Sequence, residues 1–293
     1  MEKIKIYDVR VHPGDSAFLI DDGKTAIMYD SGFAFTGYKV ADKIKAVLGD
    51  RKLDYIFLTH SHYDHALGSV YALKYWPDAK VVAGEYAAKI FAKPTAKALM
   101  RDLDRKFADT CGIGEYEDLI DDLKVDIPVS DGDKIKAGDM EFTVINLPGH
   151  TKCSVCYYCA AEKLLLGSET VGVFNGEDDV IPSYLVGFKM AMDSVEKLKS
   201  FDIENVLVPH FGLLDKEKTA LYFERAEISN KAITEDIVAM LKAGKSKEEI
   251  AEDYKAKYYN GYIKTVYPID AMELNTGIMI NLIEREFELA EQR

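Results

Sequence analysis

The sequence predicts an α+β fold with a helical insertion and a helical C-terminal extension, and three observations carry that reading. The opening residues alternate apolar and polar side chains, strand and helix patterns then follow one another through residue 212, and the remainder has helical spacing. Two similar halves of strands followed by helices can be traced within residues 1–212. Residues 1–212 are therefore expected to form one unit interrupted by a helical lid over 85–125. Residues 213–293 are expected to pack on it without a Ser/Gly-rich linker.

The elements follow in order. Residues 3–12, 16–22 and 24–30 alternate in period two and are separated by Pro13-Gly14-Asp15 and Asp21-Asp22-Gly23, which predicts an antiparallel meander. Helical spacing takes over at 39–48, an apolar run at 53–59 reads as a buried strand, and a second helix is expected over 66–75. In the stretch 85–125, Pro94 suits a first helical turn, Leu99, Met100, Leu103 and Phe107 share a face, and Gly112 can end the helix. Sheet signals return at 133–147, 154–159 and 163–166, followed by a helix over 184–200 and a strand over 205–209. Beyond His210, Ser246 and Glu249 are spaced as a capping box, and Pro268 opens a segment with Met272, Ile278, Met279, Leu282 and Ile283 on it. Between these helices lie Tyr258, Tyr259, Tyr262 and Tyr267, a density more often used for core packing than for lining a substrate pocket or a subunit interface.

Composition excludes several function classes. With 37 basic and 50 acidic side chains the formal charge is −13, so the basic footprint of a nucleic-acid-binding protein is missing. The opening MEKIKIYDVR has no apolar core and no run of about 18 apolar residues occurs, so we expect a cytoplasmic chain without a membrane segment. The expected partner is a small-molecule substrate, with homodimerisation left open. Four cysteines are too few to staple a chain of 293 residues, and reduced thiols are expected.

The six histidines are distributed unevenly. His60, His62 and His65, with Asp64 among them, fall within six residues directly after the apolar run 53–59. A lone histidine is usually incidental, but three with a carboxylate at the end of a strand form a metal-ligating loop, because the strand holds the donors in place. Four neighbouring side chains cannot all reach one ion in good geometry. Three further donors close apolar runs of their own: His150 in Leu147-Pro148-Gly149-His150, Glu169 after Gly167-Ser168, and His210 after Val208-Pro209. The spacing Cys153, Cys156, Cys159 invites a cluster reading. On a strand, however, Cys156 faces away from the other two, so structural thiols are expected there.

In these residues the chain resembles the metallo-β-lactamase-fold hydrolase superfamily, whose pattern is H-x-H-x-D-H, a histidine after Pro-Gly, an acidic bridge and a late histidine. The resemblance covers about residues 3–212, and the pattern is nearest to the glyoxalase II, lactonase and phosphodiesterase branches. It implies a four-layer αββα sandwich with two divalent ions, zinc first and iron or manganese as alternatives. By resemblance His60, His62 and His150 would hold one ion, Asp64, His65 and His210 the other, and Glu169 would bridge them. The family usually places Asp at the bridge, so Glu169 in Gly167-Ser168-Glu169-Thr170 is a departure.

Asp30, in the place of the family's I-D-T-G element, would orient a ligand imidazole. Its alternative role is to stabilise the Asp30-Ser31-Gly32 turn. Tyr63 is the residue placed to face substrate. The resemblance further implies a hydrolase in which a metal-bridging hydroxide attacks an ester-like centre (an ester, lactone, thioester or phosphodiester), with Asp64 also accepting a hydrogen bond from the nucleophile. Two other readings stand beside it: a di-iron redox protein related to oxygen and nitric oxide reductases, and a non-catalytic metal-binding module. The redox members carry glutamate where His62 stands and add a flavin-binding domain.

Overall fold

Three apolar runs, Ala26–Tyr29, Tyr55–Phe57 and Lys80–Gly84, become adjacent parallel strands, and their lack of polar alternation follows from burial on both faces. In chain order the strands of this sheet are β1 (Lys5–Asp8), β2 (Phe18–Asp21), β3 (Ala26–Tyr29), β4 (Tyr55–Phe57), β5 (Lys80–Gly84) and β6 (Ile127–Val129), which pair in that order. The first three form the antiparallel meander that the turn residues announce, and the rest run parallel. The second sheet contains β7 (Lys134–Ala137), β8 (Met140–Asn146), β9 (Val155–Cys159), β10 (Leu164–Leu166), β13 (Asn205–Val208) and β14 (Gly212–Leu214), ordered β14-β13-β10-β9-β8-β7. A small hairpin, β11 (Val173–Phe174) with β12 (Val180–Ile181), stands apart. These are the strands of the computed structural model, which describes residues 4–289.

Period-two geometry sorts the core into layers. Ile27, Tyr29, Phe57 and Val82 of the first sheet meet Phe142, Val155, Tyr157 and Leu166 of the second in one buried cluster. The alternate residues Met28, Ile56, Val81 and Ala83 face the helices α1 (Gly37–Leu48), α3 (Ser69–Tyr75) and α4 (Glu85–Phe91); the four-residue helix α2 (Tyr63–Ala66) lies between α1 and α3 in the chain. On the far side Ile145, Cys156, Tyr158 and Leu165 pack under α6 (Phe188–Leu198) and the first half of α7 (Lys216–Lys242), whereas α5 (Pro94–Thr110) joins the first side. The order helix, sheet, sheet, helix is the αββα sandwich. The later helices α8 (Lys247–Tyr258), α9 (Gly261–Val266) and α10 (Ile269–Glu286) bury a cluster of their own with the rest of α7 and β12.

Some details correct the sequence reading and others agree with it. The helix expected over 66–75 is broken into α2 and α3, with Gly68 between them. A Cβ at Gly68 would lie 1.8 Å from the Ser31 carbonyl oxygen, so only glycine lets the helix approach the loop after β3. The buried face of α5 is Met100, Asp104, Phe107 and Ala108, and Leu99 is 61% exposed. The capping box at Ser246 and Glu249 is present at the start of α8. The four cysteines are free thiols, with Cys156 on the opposite face of β9 from Cys159. No helix among the described residues is long and apolar enough to cross a membrane.

Candidate metal centre

The parallel strands β3 and β4 end at the same edge of their sheet, and β8, β10 and β13 share a direction in theirs. The loops leaving these five strands carry Asp30, the 60–65 loop, His150, Glu169 and His210, so the sandwich collects every donor at one edge. A hydrogen bond from Val155 N to Thr59 O, 2.9 Å, ties the two sheets together there.

Two donor clusters result. His60, His62, His150 and Glu169 form one, and Asp64, His65 and His210 the other, each with its donor atoms within 4.8 Å of one another. His150 Nε2 is 3.0 Å from His62 Nδ1, and His210 Nε2 is 3.1 Å from His65 Nε2. Glu169 lies between the clusters: its Oε2 is 3.1 Å from His150 Nε2, 3.3 Å from His65 Nε2 and 3.5 Å from His60 Nε2, while its Oε1 is 3.7 Å from His210 Nε2. Asp64 Oδ2 is 3.6 Å from both His65 Nε2 and His210 Nε2.

The other ring nitrogens show which ones are left for a cation. His150 Nδ1 sits 2.5 Å from Ser183 O and His210 Nδ1 sits 3.0 Å from Gly14 O. A carbonyl only accepts, so both Nδ1 atoms carry the proton and both Nε2 atoms present a lone pair. His65 Nδ1 donates to Asp30 Oδ2 at 2.7 Å. The Thr59 hydroxyl gives its single proton to Asp30, 3.0 Å, and therefore accepts from His60 Nδ1, also 3.0 Å. His60 Nε2 is buried without a hydrogen-bond partner. Ring nitrogens converging to about 3 Å, together with the orphaned buried His60 Nε2, fit ligands around cations. The two clusters form a binuclear metal-binding site, and imidazole with carboxylate suits a borderline divalent ion.

Electrostatics divide the imidazoles. Burial, then the neighbouring imidazoles, push His60 and His62 well below the usual histidine range, which keeps them neutral and able to coordinate. Burial also acts downward on His65, but Asp64 and Asp30 outweigh it and hold that ring well above its ordinary value. Burial would raise Glu169, yet His150, His65 and His210 hold its carboxyl well below the usual range. Positive charge is thus favoured at His65, beside the anionic oxygens of Asp64 and Asp30, and disfavoured at His60 and His62.

Asp30 is the hub beneath the ligands. It accepts from Ser16 Oγ (2.9 Å), Thr59 N (2.8 Å), the Thr59 hydroxyl and His65, and sits at φ 48, a conformation that aspartate tolerates better than most residues. His210 also has positive φ, 61, where histidine is uncommon. Its carbonyl is clamped by the Arg10 guanidinium and by Tyr262 Oη at 2.5 Å, and Arg10 is itself paired with Asp8 at 2.6 Å.

Tyr63 lies half-buried with its ring 5.6 Å from that of Phe33, at the border of an aromatic group with Phe35 and Phe107. His12, the sixth histidine, packs against Phe107 and is not at the centre. Sequence reasoning missed Arg10, Gly14, Ser183, Tyr262 and Tyr267. The Tyr267 hydroxyl donates to Glu169 Oε1, and its ring is 5.7 Å from that of His210. The tyrosine density at 258–267 was the available signal for these last two; packing and function are combined there, since Tyr258, Tyr259 and Tyr267 also flank the C-terminal core.

Residues 14–210 match the family model described as "Metallo-beta-lactamase superfamily". Among solved structures the chain is similar to a metallo-beta-lactamase family protein from Thermus thermophilus, with a TM-score of 0.65 at 17% identity, covering 98% of this chain and 95% of that one. Among curated proteins it is similar to a hydroxyacylglutathione hydrolase of Francisella philomiragia, 28% identical over 60% of this chain and 57% of the relative. An acyl-coenzyme A thioesterase of Gallus gallus is 25% identical over 60% of this chain and 64% of the relative. The chain spans about half the length of the first curated relatives it matches, from 45% to 57%.

Proposed function

We propose, for a chain that belongs to the metallo-beta-lactamase superfamily, that it is a hydrolase of ester-like substrates working with two divalent ions, zinc first. His60, His62 and His150 would hold one ion, Asp64, His65 and His210 the other, and Glu169 would serve both. The observation that carries this reading is the convergence of imidazole nitrogens in two adjacent clusters with one carboxylate between them. When bound, such ions make water acidic enough to deprotonate near neutrality and polarise the oxygen of the attacked group.

The remaining chemistry belongs to the chain. Asp30 fixes the His65 ring directly and the His60 ring through Thr59, so that each aims its Nε2 into the centre. Asp64 has one carboxylate oxygen near His65 and His210, and its other oxygen can accept a hydrogen bond from the attacking water and turn that water's lone pair toward the substrate. Tyr63, next to Asp64 in sequence, is assigned to the wall where substrate enters. No serine or cysteine nucleophile is needed, and Cys153 and Cys156 are buried.

The names of the two curated relatives favour a carboxylic ester or thioester over a phosphodiester. The redox alternative has less support, because residues 216–286 form the helices α7 to α10, unlike the alternating strands and helices of a flavodoxin-like module. The test is a panel of carboxylic esters, lactones, thioesters and phosphodiesters offered to zinc-loaded protein. Turnover of an ester or thioester that a chelator abolishes and zinc restores is expected. No turnover of any member, or turnover that survives complete removal of metal, contradicts the proposal.

A further inference from the structure

Glutamate at the shared position poses a geometric problem. Relative to aspartate it adds a methylene and a rotatable bond, and its terminal torsion is broad, so by itself the Glu169 carboxylate could aim its oxygens in several directions. A ligand shared by two ions must aim them in one.

The C-terminal extension supplies the missing restraint. The Tyr267 hydroxyl donates to Glu169 Oε1, which leaves Oε2 turned toward His60, His65 and His150. Tyr267 is itself well held: its N–H donates to Ile263 O at 3.0 Å, and its carbonyl accepts from Tyr259 Oη at 3.0 Å. Pro268 restricts it to the extended conformation observed, φ −101 and ψ 128. Tyr262, at the start of the same short helix α9, clamps the backbone of His210. One segment of the tail thus grips two ligands of the centre, one by its backbone and one by its carboxylate.

We propose that residues 258–268 act as a strut that completes the metal centre, with Tyr267 as the positioning residue that lets glutamate serve where the family ordinarily uses aspartate. The strut rests on the reading of Glu169 as a shared ligand. It also makes the extension part of the working site and not an appended module, since Tyr267 is the group that orients Glu169 Oε1.

The experiment is a double-mutant cycle read by metal affinity, with zinc titrated against a chromogenic chelator into wild type, Tyr267→Phe, Glu169→Asp and the double variant. Losing a partner that orients a ligand weakens metal binding by about 10–100-fold, and that range is expected for the weaker site of Tyr267→Phe. In Glu169→Asp the shorter carboxylate no longer reaches Tyr267, so adding Tyr267→Phe should change affinity by less than about threefold, within the coupling expected of independent positions. Wild-type affinity in Tyr267→Phe, or an equal loss in both backgrounds, overturns the strut. Glu169→Gln measured alongside separates the two levels: two ions bound with native affinity would overturn the shared-ligand reading itself, whatever Tyr267→Phe does.

Discussion

Asp104 on α5 offers a quantitative test of how the helical insertion is fastened. Its carboxyl is buried and accepts from Ala34 N at 2.9 Å and from Tyr116 Oη at 2.5 Å, so it pins the insertion to the loop after β3. Burial raises its pKa, the hydrogen bonds from Tyr116, Ala34 and Phe35 offset this only partly, and the group is pushed up from 3.8 to about 7. The folded state therefore binds the proton more tightly than the unfolded state does. That contribution to stability is fully present below pH 3.8 and is lost as pH rises through about 7. At about 1.4 kcal/mol per unit, raising the pH from 5 to 8 should cost the wild type about 3 kcal/mol through this one group. Asp104→Asn keeps the shape and removes the titration. The assay is urea unfolding of both proteins at several pH values, with the difference between them isolating Asp104 from every other titrating group. The variant's relative stability should climb by about 3 kcal/mol across that range, and a flat difference, or one that falls with pH, refutes the argument.

Other expectations concern the centre and its supports. His62→Ala and His65→Ala should each lower kcat/KM by at least about 100-fold while leaving the far-ultraviolet circular dichroism unchanged, since each removes a donor of the centre and neither belongs to the apolar core; full activity in either would remove that residue from the site. Gly68→Ala forces a Cβ against the Ser31 carbonyl and should cost about 3 kcal/mol by denaturant unfolding, at the upper end for overpacking. Gly277→Ala, on α10 where a Cβ meets nothing within 4 Å, should stabilise by about 0.4–1 kcal/mol, and equal effects at the two glycines would contradict the close-approach account.

What could be read from the sequence divides along physical lines. The loop His60 to His65 was legible because its donors are consecutive and follow an apolar strand. His150, Glu169 and His210 were legible because each also closes a strand. Gly14 and Ser183 were not, since they act through backbone carbonyls that leave no trace in residue type. Arg10 and Tyr267 reach the centre from segments about 200 and 98 residues away from the groups they hold, and no local pattern encodes such a contact. The face of α5 was misjudged by one position because counting apolar residues favours Leu99, whereas the buried face includes the polar Asp104. Of the strands that the pattern did not reveal, β6, β11, β12 and β14 are only two or three residues long, too short for alternation to register. The strand β5 is longer, but with both faces covered it does not alternate.

The central claim is that one edge of the sandwich holds two ions with Glu169 between them, and metal stoichiometry tests it most directly. Elemental analysis of protein purified without chelator and then saturated with zinc should give two ions per chain. A value of one ion per chain at saturation would contradict the account.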